Sequence, residues 1–331
     1  MKNPKETILK QSNSLHNWPE IKGFNPENEF NLDDFLKSLT KTGQQATELG
    51  KAIEITKQMR KDNATIFLGF TSNAGTSGIR EYITYLAKHK KVDVMCTTVG
   101  AIEEDIIKCF MPFVLGDFRA KGAQLREEGI NRTGNIFIPN DRYVHFDKFM
   151  RIFLERLYKL QKDSGEIIGI KELIFEIGKE MDNQNVENRE ESFTYWAYKN
   201  EIPFFCPAPL DGSLGDMIYF FKKEPQYKDF KIDTSEYIVQ LTDLALNCEK
   251  MGIICLGGSV PKHALANAGL FRDGCEYCIY LNSGLEMEGS NAGAPIDEAI
   301  SWGKVAANGS YAKVEADFSL TFPLLVLGGF K

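Results

Sequence analysis

Five short apolar runs, each closed by glycine, serine, threonine or an acid, constrain the fold of this 331-residue chain more than any other feature. Thr65-Ile-Phe-Leu-Gly-Phe70 leads into Thr71-Ser-Asn-Ala-Gly-Thr-Ser-Gly78 and then a helix to about Lys90. Val92-Asp-Val-Met-Cys96 leads into Thr97-Thr-Val-Gly100 and a helix carrying Glu103 and Glu104. Phe204-Phe-Cys206 precedes Asp211-Gly-Ser-Leu-Gly-Asp216, and Gly252-Ile-Ile-Cys-Leu256 precedes Gly257-Gly-Ser-Val-Pro-Lys-His263. Tyr277-Cys-Ile-Tyr-Leu281 precedes Asn282-Ser-Gly284. Strands that alternate with helices pair in parallel through right-handed crossovers. Continuously apolar strands are covered on both faces. The pattern predicts an α/β protein: a doubly wound, mostly parallel, Rossmann-like sheet with helices on both faces. Loops that follow the strands share one sheet edge, where open parallel sheets bind ligands.

The flanks differ from this pattern. Residues 1–30 are polar, and Pro4, Pro19 and Pro26 should break any helix, so an arm is expected. Phe30 to Leu39 reads as an amphipathic helix capped by Asn31, and a second helix should run from Gln44 to Arg60. Residues 1–60 are thus expected to form an arm with helices, and residues 61–331 the α/β catalytic domain. Residues 115–146, with Arg119, Lys121, Arg126, Arg132 and Arg142, read as irregular. Residues 181–191 read as a solvated loop or insertion.

Composition excludes some classes. A net charge of −7 argues against a general nucleic-acid binder and permits a polycationic ligand. There is no run of about 20 apolar residues, so no membrane span is expected. The first residues lack an apolar signal-peptide core, which makes the cytosol the expected location. Seven cysteines lie scattered in apolar runs and read as reduced, buried thiols. Cys275-Glu-Tyr-Cys278 has no second pair or histidines at ligand spacing, so no metal is expected.

Several residues can carry chemistry. Pro295 suits the first turn of a short helix, Asp297 and Glu298 its positive end, and Gly303 its stop. Lys304 then leaves in a fixed direction beside Trp302. It is either a surface lysine favoured by the helix dipole or a nucleophile kept neutral by burial. The loop from Thr71 to Gly78 is either a plain N-cap or a phosphate cradle. Glu103, Glu104, Asp216, Glu286, Glu288 and Glu298 are either caps and solvated acids or, together, a slot for a linear polyamine. His263 is either structural or a proton carrier.

The run Asp297-Glu-Ala-Ile-Ser-Trp-Gly-Lys304 resembles the active-site signature of deoxyhypusine synthases, in which that lysine is the covalent nucleophile. The likeness extends from about Ile21 to Phe330. It implies NAD as cofactor, contacted by Ser72, Asn73, Ala74, Gly75 and Thr76, and by Thr98, Val99, Gly100 and Glu104. Asp211, Gly258, Ser283, Gly284, Asp317 and Phe318 would complete that cradle. Spermidine would be the donor, bound by Glu103, Glu104, Asp216, His263 and Asn267. Gly289, Ser290, Asn291, Glu298, Trp302 and Lys304 would bound its other side. Lys304 would be the nucleophile, His263 the proton carrier, and a lysine of a translation initiation factor the acceptor. The resemblance also implies a homotetramer with sites at dimer interfaces, the N-terminal helix covering a neighbour's entrance. The chain departs from the family at Val99, where alanine is usual, at Ser283-Gly284 for Thr-Ala, and at Phe318 for a small residue. Asn291 stands where aspartate is common and removes one negative charge from the amine-binding end. It keeps open a homospermidine synthase, the same chemistry with putrescine as acceptor. A catalytically silent paralogue would lack the lysine, whereas this chain retains His263, Trp302 and Lys304.

Overall fold

The structure, a computed structural model, describes residues 4–331. Six parallel strands form the central sheet: β1 (Thr65–Phe70), β2 (Val94–Thr97), β3 (Phe204–Phe205), β4 (Met251–Leu256), β5 (Cys275–Asn282) and β6 (Val305–Glu315). Their spatial order is β6-β5-β4-β1-β2-β3. The chain begins at the middle, winds outward through β2 to β3, then returns to the other side of β1. That reversal, between β1 and β4, is the switch point at which the following loops diverge and leave a crevice.

Period-two alternation explains the helices on both faces. Ile66, Leu68 and Phe70 of β1 feed one apolar core, while Phe67 feeds the other with Cys255, Leu265, Cys278 and Tyr280. All seven cysteines are free, and Cys275 and Cys278 are buried packing residues. The helices Leu32–Thr42 and Gln44–Lys61 form as expected, and Asn31 Oδ1 accepts from the Asp34 amide at 3.1 Å. Their Leu36 and Ile53 pack against Gly328 near the end of the apolar helix Phe318–Gly329.

Four expectations need correction. Residues 115–146 are not irregular. They hold most of a three-stranded antiparallel sheet (Val114–Leu115, Ile130–Thr133 and Ile136–Pro139) and the start of the 24-residue helix Asp141–Ser164. That helix buries Phe146, Phe149, Met150, Phe153 and Leu157 at helical spacing. The 181–191 segment buries Met181 and Val186 and so packs rather than floats. Pro4 begins a one-turn helix, Pro4–Ile8, because a missing N–H costs nothing in a first turn. Finally, β6 was not among the five apolar runs. It is an edge strand whose outward Ala307, Asn308 and Ser310 hide the pattern. Among the described residues, no helix is long and apolar enough to cross a membrane.

Candidate functional site

One wall of the crevice comes from the loops after β1, β2 and β3. Ser72–Thr76 forms a short helix after β1, and Val99–Phe110 a longer one after β2. Ser72 Oγ and Thr98 Oγ1 are 2.6 Å apart, and Gly100 packs against Ser72. Thr76 Oγ1 donates to Glu104 Oε2. Glu104 is only 9 % exposed, and burial lifts its carboxyl to about 7 despite the threonine bond. Burial also raises Glu103, whose Oε2 accepts from the Leu214 amide at 2.9 Å. That bond ties the loop after β3 to the helix after β2. Ala74 and Gly75 lie beneath the surface, Gly75 against Ala101, and Val99 is buried, so these three are packing positions in this chain. Asp211 and Asp216 stand exposed nearby.

The other wall follows β4 and β5. A cavity of about 290 Å³ is lined by Asn73, Gly258, Ser283, Gly284, Asp317 and Phe318, together with Thr71, Gly257, Asn282 and Ala292. Six residues that the resemblance assigned to the cofactor therefore share one hollow. Gly258 must lack a side chain, because a Cβ there would lie 2.5 Å from Ala292 Cα. Asn282 is 4 % exposed; its Oδ1 accepts from the Gly284 amide, and its Nδ2 donor has no partner.

A second cavity, about 610 Å³, adjoins the first across Ala292. It opens between the helices Glu236–Asn247 and Ser259–Leu270 and is lined by His263, Asn267, Ser290 and Asn291. Burial first, and then the charge of Lys304, lower the His263 pKa, so its imidazole is neutral near pH 7. Asn291 Nδ2 donates to the Ser259 carbonyl at 3.3 Å.

The helix Ile296–Ser301 follows, and its Ile296 belongs to the same core cluster as Leu241 and Leu265. Pro295 is its N-cap rather than part of its first turn, and Trp302 closes it. Gly303 takes the left-handed φ of +70° that only glycine adopts cheaply. Lys304 is half-buried, with Nζ 5.3 Å from the Trp302 ring centre, and the indole is 63 % exposed. Lys304 precedes β6 and so stands toward the amino edge of the sheet, away from the glycine-lined rim. The fully enclosed, dry setting expected for it is not formed by a single copy. Neither of these two cavities is lined by Glu103, Glu104, Glu298, Trp302 or Lys304. Glu286, Glu288 and Gly289 form an exposed turn, with Glu286 paired to Lys313 at 3.0 Å.

Sequence reading missed three lysines that brace these loops. Lys108 Nζ donates to the carbonyls of Gly75, Thr76 and Ser77. Lys262 Nζ donates to those of Asn291, Ala292 and Ala294, and Lys313 Nζ to that of Gly293.

These features define an α/β protein with a crevice at the switch point of a doubly wound sheet. The deoxyhypusine synthase family model matches residues 34–328, and the chain belongs to that family, which is one of transferases. A probable deoxyhypusine synthase of Methanocaldococcus jannaschii is 46 % identical over 326 residues, covering 96 % of this chain and 98 % of that one. Homospermidine synthase 2 of Senecio vernalis is 39 % identical, covering 98 % and 93 %. A crystal structure described as a deoxyhypusine synthase of Entamoeba histolytica superposes with a TM-score of 0.66 at 26 % identity, covering 94 % and 96 %.

Proposed function

We propose that this chain is a deoxyhypusine synthase that uses NAD to move the aminobutyl group of spermidine, through a Lys304 imine, onto a lysine of a translation initiation factor. The observation that carries the reading is the unit formed by Lys304, Trp302 and His263. A helix stop frees a lysine, an indole face lies beside it, and a neighbouring imidazole has its pKa lowered, by burial first and by the lysine second. Asn282 supports the cofactor: its orphaned Nδ2 offers a donor in a glycine-lined hollow that suits a polar ligand. NAD, when bound, supplies the acceptor for a hydride from the amine and its later return.

The residues of the chain do the rest. His263 takes a proton from the amine as it is oxidised. Once it has given up its proton, the Lys304 amine attacks the resulting imine carbon, and a diamine leaves while four carbons stay on Lys304. The acceptor lysine attacks the same carbon and frees Lys304. Glu103, Glu104, Asp216 and Glu298 hold ammonium groups, and Trp302 stacks on the chain between them. Imines hydrolyse in water, so the pocket must close. A second copy of the chain supplies that closure, within a cytosolic homotetramer whose sites lie at dimer interfaces. The arm, with exposed Ile8, Leu9, Leu15 and Trp18, covers a neighbour's entrance.

The test is a mass spectrum of enzyme incubated with spermidine, NAD and borohydride. A four-carbon amine adduct on Lys304 is expected, and an adduct on any other residue overturns the assignment. Asn291, which lines the large cavity, favours one second reading, a homospermidine synthase. Offered both acceptors, such an enzyme would transfer the aminobutyl group to putrescine and leave the protein lysine untouched.

A further inference from the structure

We infer that Lys262 is a positioning residue: it holds residues 289–295 in the shape that makes Ala292 a common wall of both cavities, and so tunes cofactor and amine affinity without touching either. The inference rests on the proposed reaction only for the identity of the ligands. The 289–295 segment has no helix or strand to hold it, and its own backbone contributes one bond, Ala294 N–H to the Ser290 carbonyl at 3.1 Å. Lys262 supplies what is missing. Its Nζ donates to the carbonyls of Asn291 at 2.7 Å, Ala294 at 3.2 Å and Ala292 at 3.4 Å. The ammonium also lies 4.0 Å from the ring centre of Tyr280, on the neighbouring strand β5.

Lys262 is 2 % exposed, while His263 beside it faces outward. A sealed ammonium cannot serve as a nucleophile, which separates its role from that of Lys304. Burying a charge is costly, and the hydrogen bonds it makes inside largely offset that cost rather than add net stability. A buried lysine that spends its three donors on one loop is therefore better explained by the shape of that loop than by folding energy. Gly258 packs directly on Ala292, so any shift of the loop moves the rim of the smaller cavity as well.

Full-length Lys262→Met and Lys262→Arg, compared with the unaltered chain, test this. Amide hydrogen exchange across 286–294 reads the loop, and intrinsic fluorescence titration reads NAD affinity. NADH formation from spermidine separates KM from kcat. In Lys262→Met, loop exchange should speed up about tenfold or more, and NAD Kd and spermidine KM should rise about tenfold, the scale of losing charge-assisted hydrogen bonds. The helix Asp141–Ser164 should exchange as before and kcat should change less. Lys262→Arg should fall between, because a planar fork cannot satisfy three carbonyls arranged for an ammonium. Unchanged loop exchange in a folded variant overturns the inference, whether activity is kept or lost. If Lys262→Met does not fold, Lys262→Arg decides: wild-type exchange and wild-type KM refute the role. If the unaltered enzyme makes no NADH from spermidine, the reaction is wrong, and loop exchange with NAD affinity still judges Lys262.

Discussion

The two walls of the crevice hold the same kinds of group in opposite ways. The wall after β1 and β2 hides them: Thr76, Glu103 and Glu104 are buried and already hydrogen-bonded to one another or to Leu214. The other side, made by the loops after β4 and β5 together with the helix stop before β6, displays them, with His263, Glu298 and Trp302 exposed and Lys304 half so. Each wall is braced by a lysine spanning three carbonyls, the half-buried Lys108 in one and the buried Lys262 in the other. Rigidity is therefore common to both, and solvent is the difference. A buried carboxylate pair is organised before any ligand arrives, whereas an exposed lysine and indole gain their dry surroundings only when something covers them.

The strongest way to break this comparison is Lys304→Ala. It should lower turnover by on the order of 10⁴-fold or more, the scale of removing a covalent nucleophile, while NAD affinity stays unchanged. A loss of NAD affinity, read by fluorescence titration, would mean that the two walls are not separable. The next test asks whether the walls meet across copies. Neither Lys304→Ala nor Glu104→Gln should be active alone. If one copy supplies Lys304 and its neighbour Glu104, refolding the two together should restore up to about a quarter of the activity, since half of the mixed pairs' sites are intact. No recovery would place both groups in one chain's site.

Glu104 separates the walls by pH. Its carboxyl is lifted from 4.5 to about 7, chiefly by burial. Unfolded, the group ionises near 4.5; folded, it keeps its proton to about 7. The native state binds the extra proton between those values, so stability should fall as pH rises through that window, by up to about 3 kcal/mol. Glu104→Gln should therefore raise the Tm near pH 8 and leave it almost unchanged near pH 4. Thermal unfolding at both values checks this, and an equal effect at the two would show that Glu104 is not the group responsible.

How much of this could be read from the sequence follows the same divide. The five apolar runs gave the sheet, and the loops after them gave both walls, because strand burial on two faces leaves a continuous apolar signal. The stop at Gly303 and the cap at Asn31 were legible because local backbone chemistry decides them. Strand β6 was not, since an edge strand of small and polar residues has no buried alternation to display. Lys108 and Lys262 were invisible for a different reason. Their partners are carbonyls 29 to 33 positions away, and no side-chain pattern records a backbone acceptor. The division of acids between two walls also escaped notice, because spacing along the chain does not say which loops face each other.

The mildest test concerns the exposed wall itself. Trp302 contributes one face, 5.3 Å from the Lys304 ammonium, and is otherwise in solvent. If that face stacks on the polyamine only when the site is covered, Trp302→Ala should raise spermidine KM about tenfold, the value of a desolvated cation–π contact. Folding stability should barely change, because the indole buries little in a single copy. Trp302→Phe should restore most of the affinity, since a smaller ring still offers a negative face. An unchanged KM in Trp302→Ala would mean that the indole stays in solvent throughout turnover. The exposed wall would then have to be covered somewhere other than at Lys304.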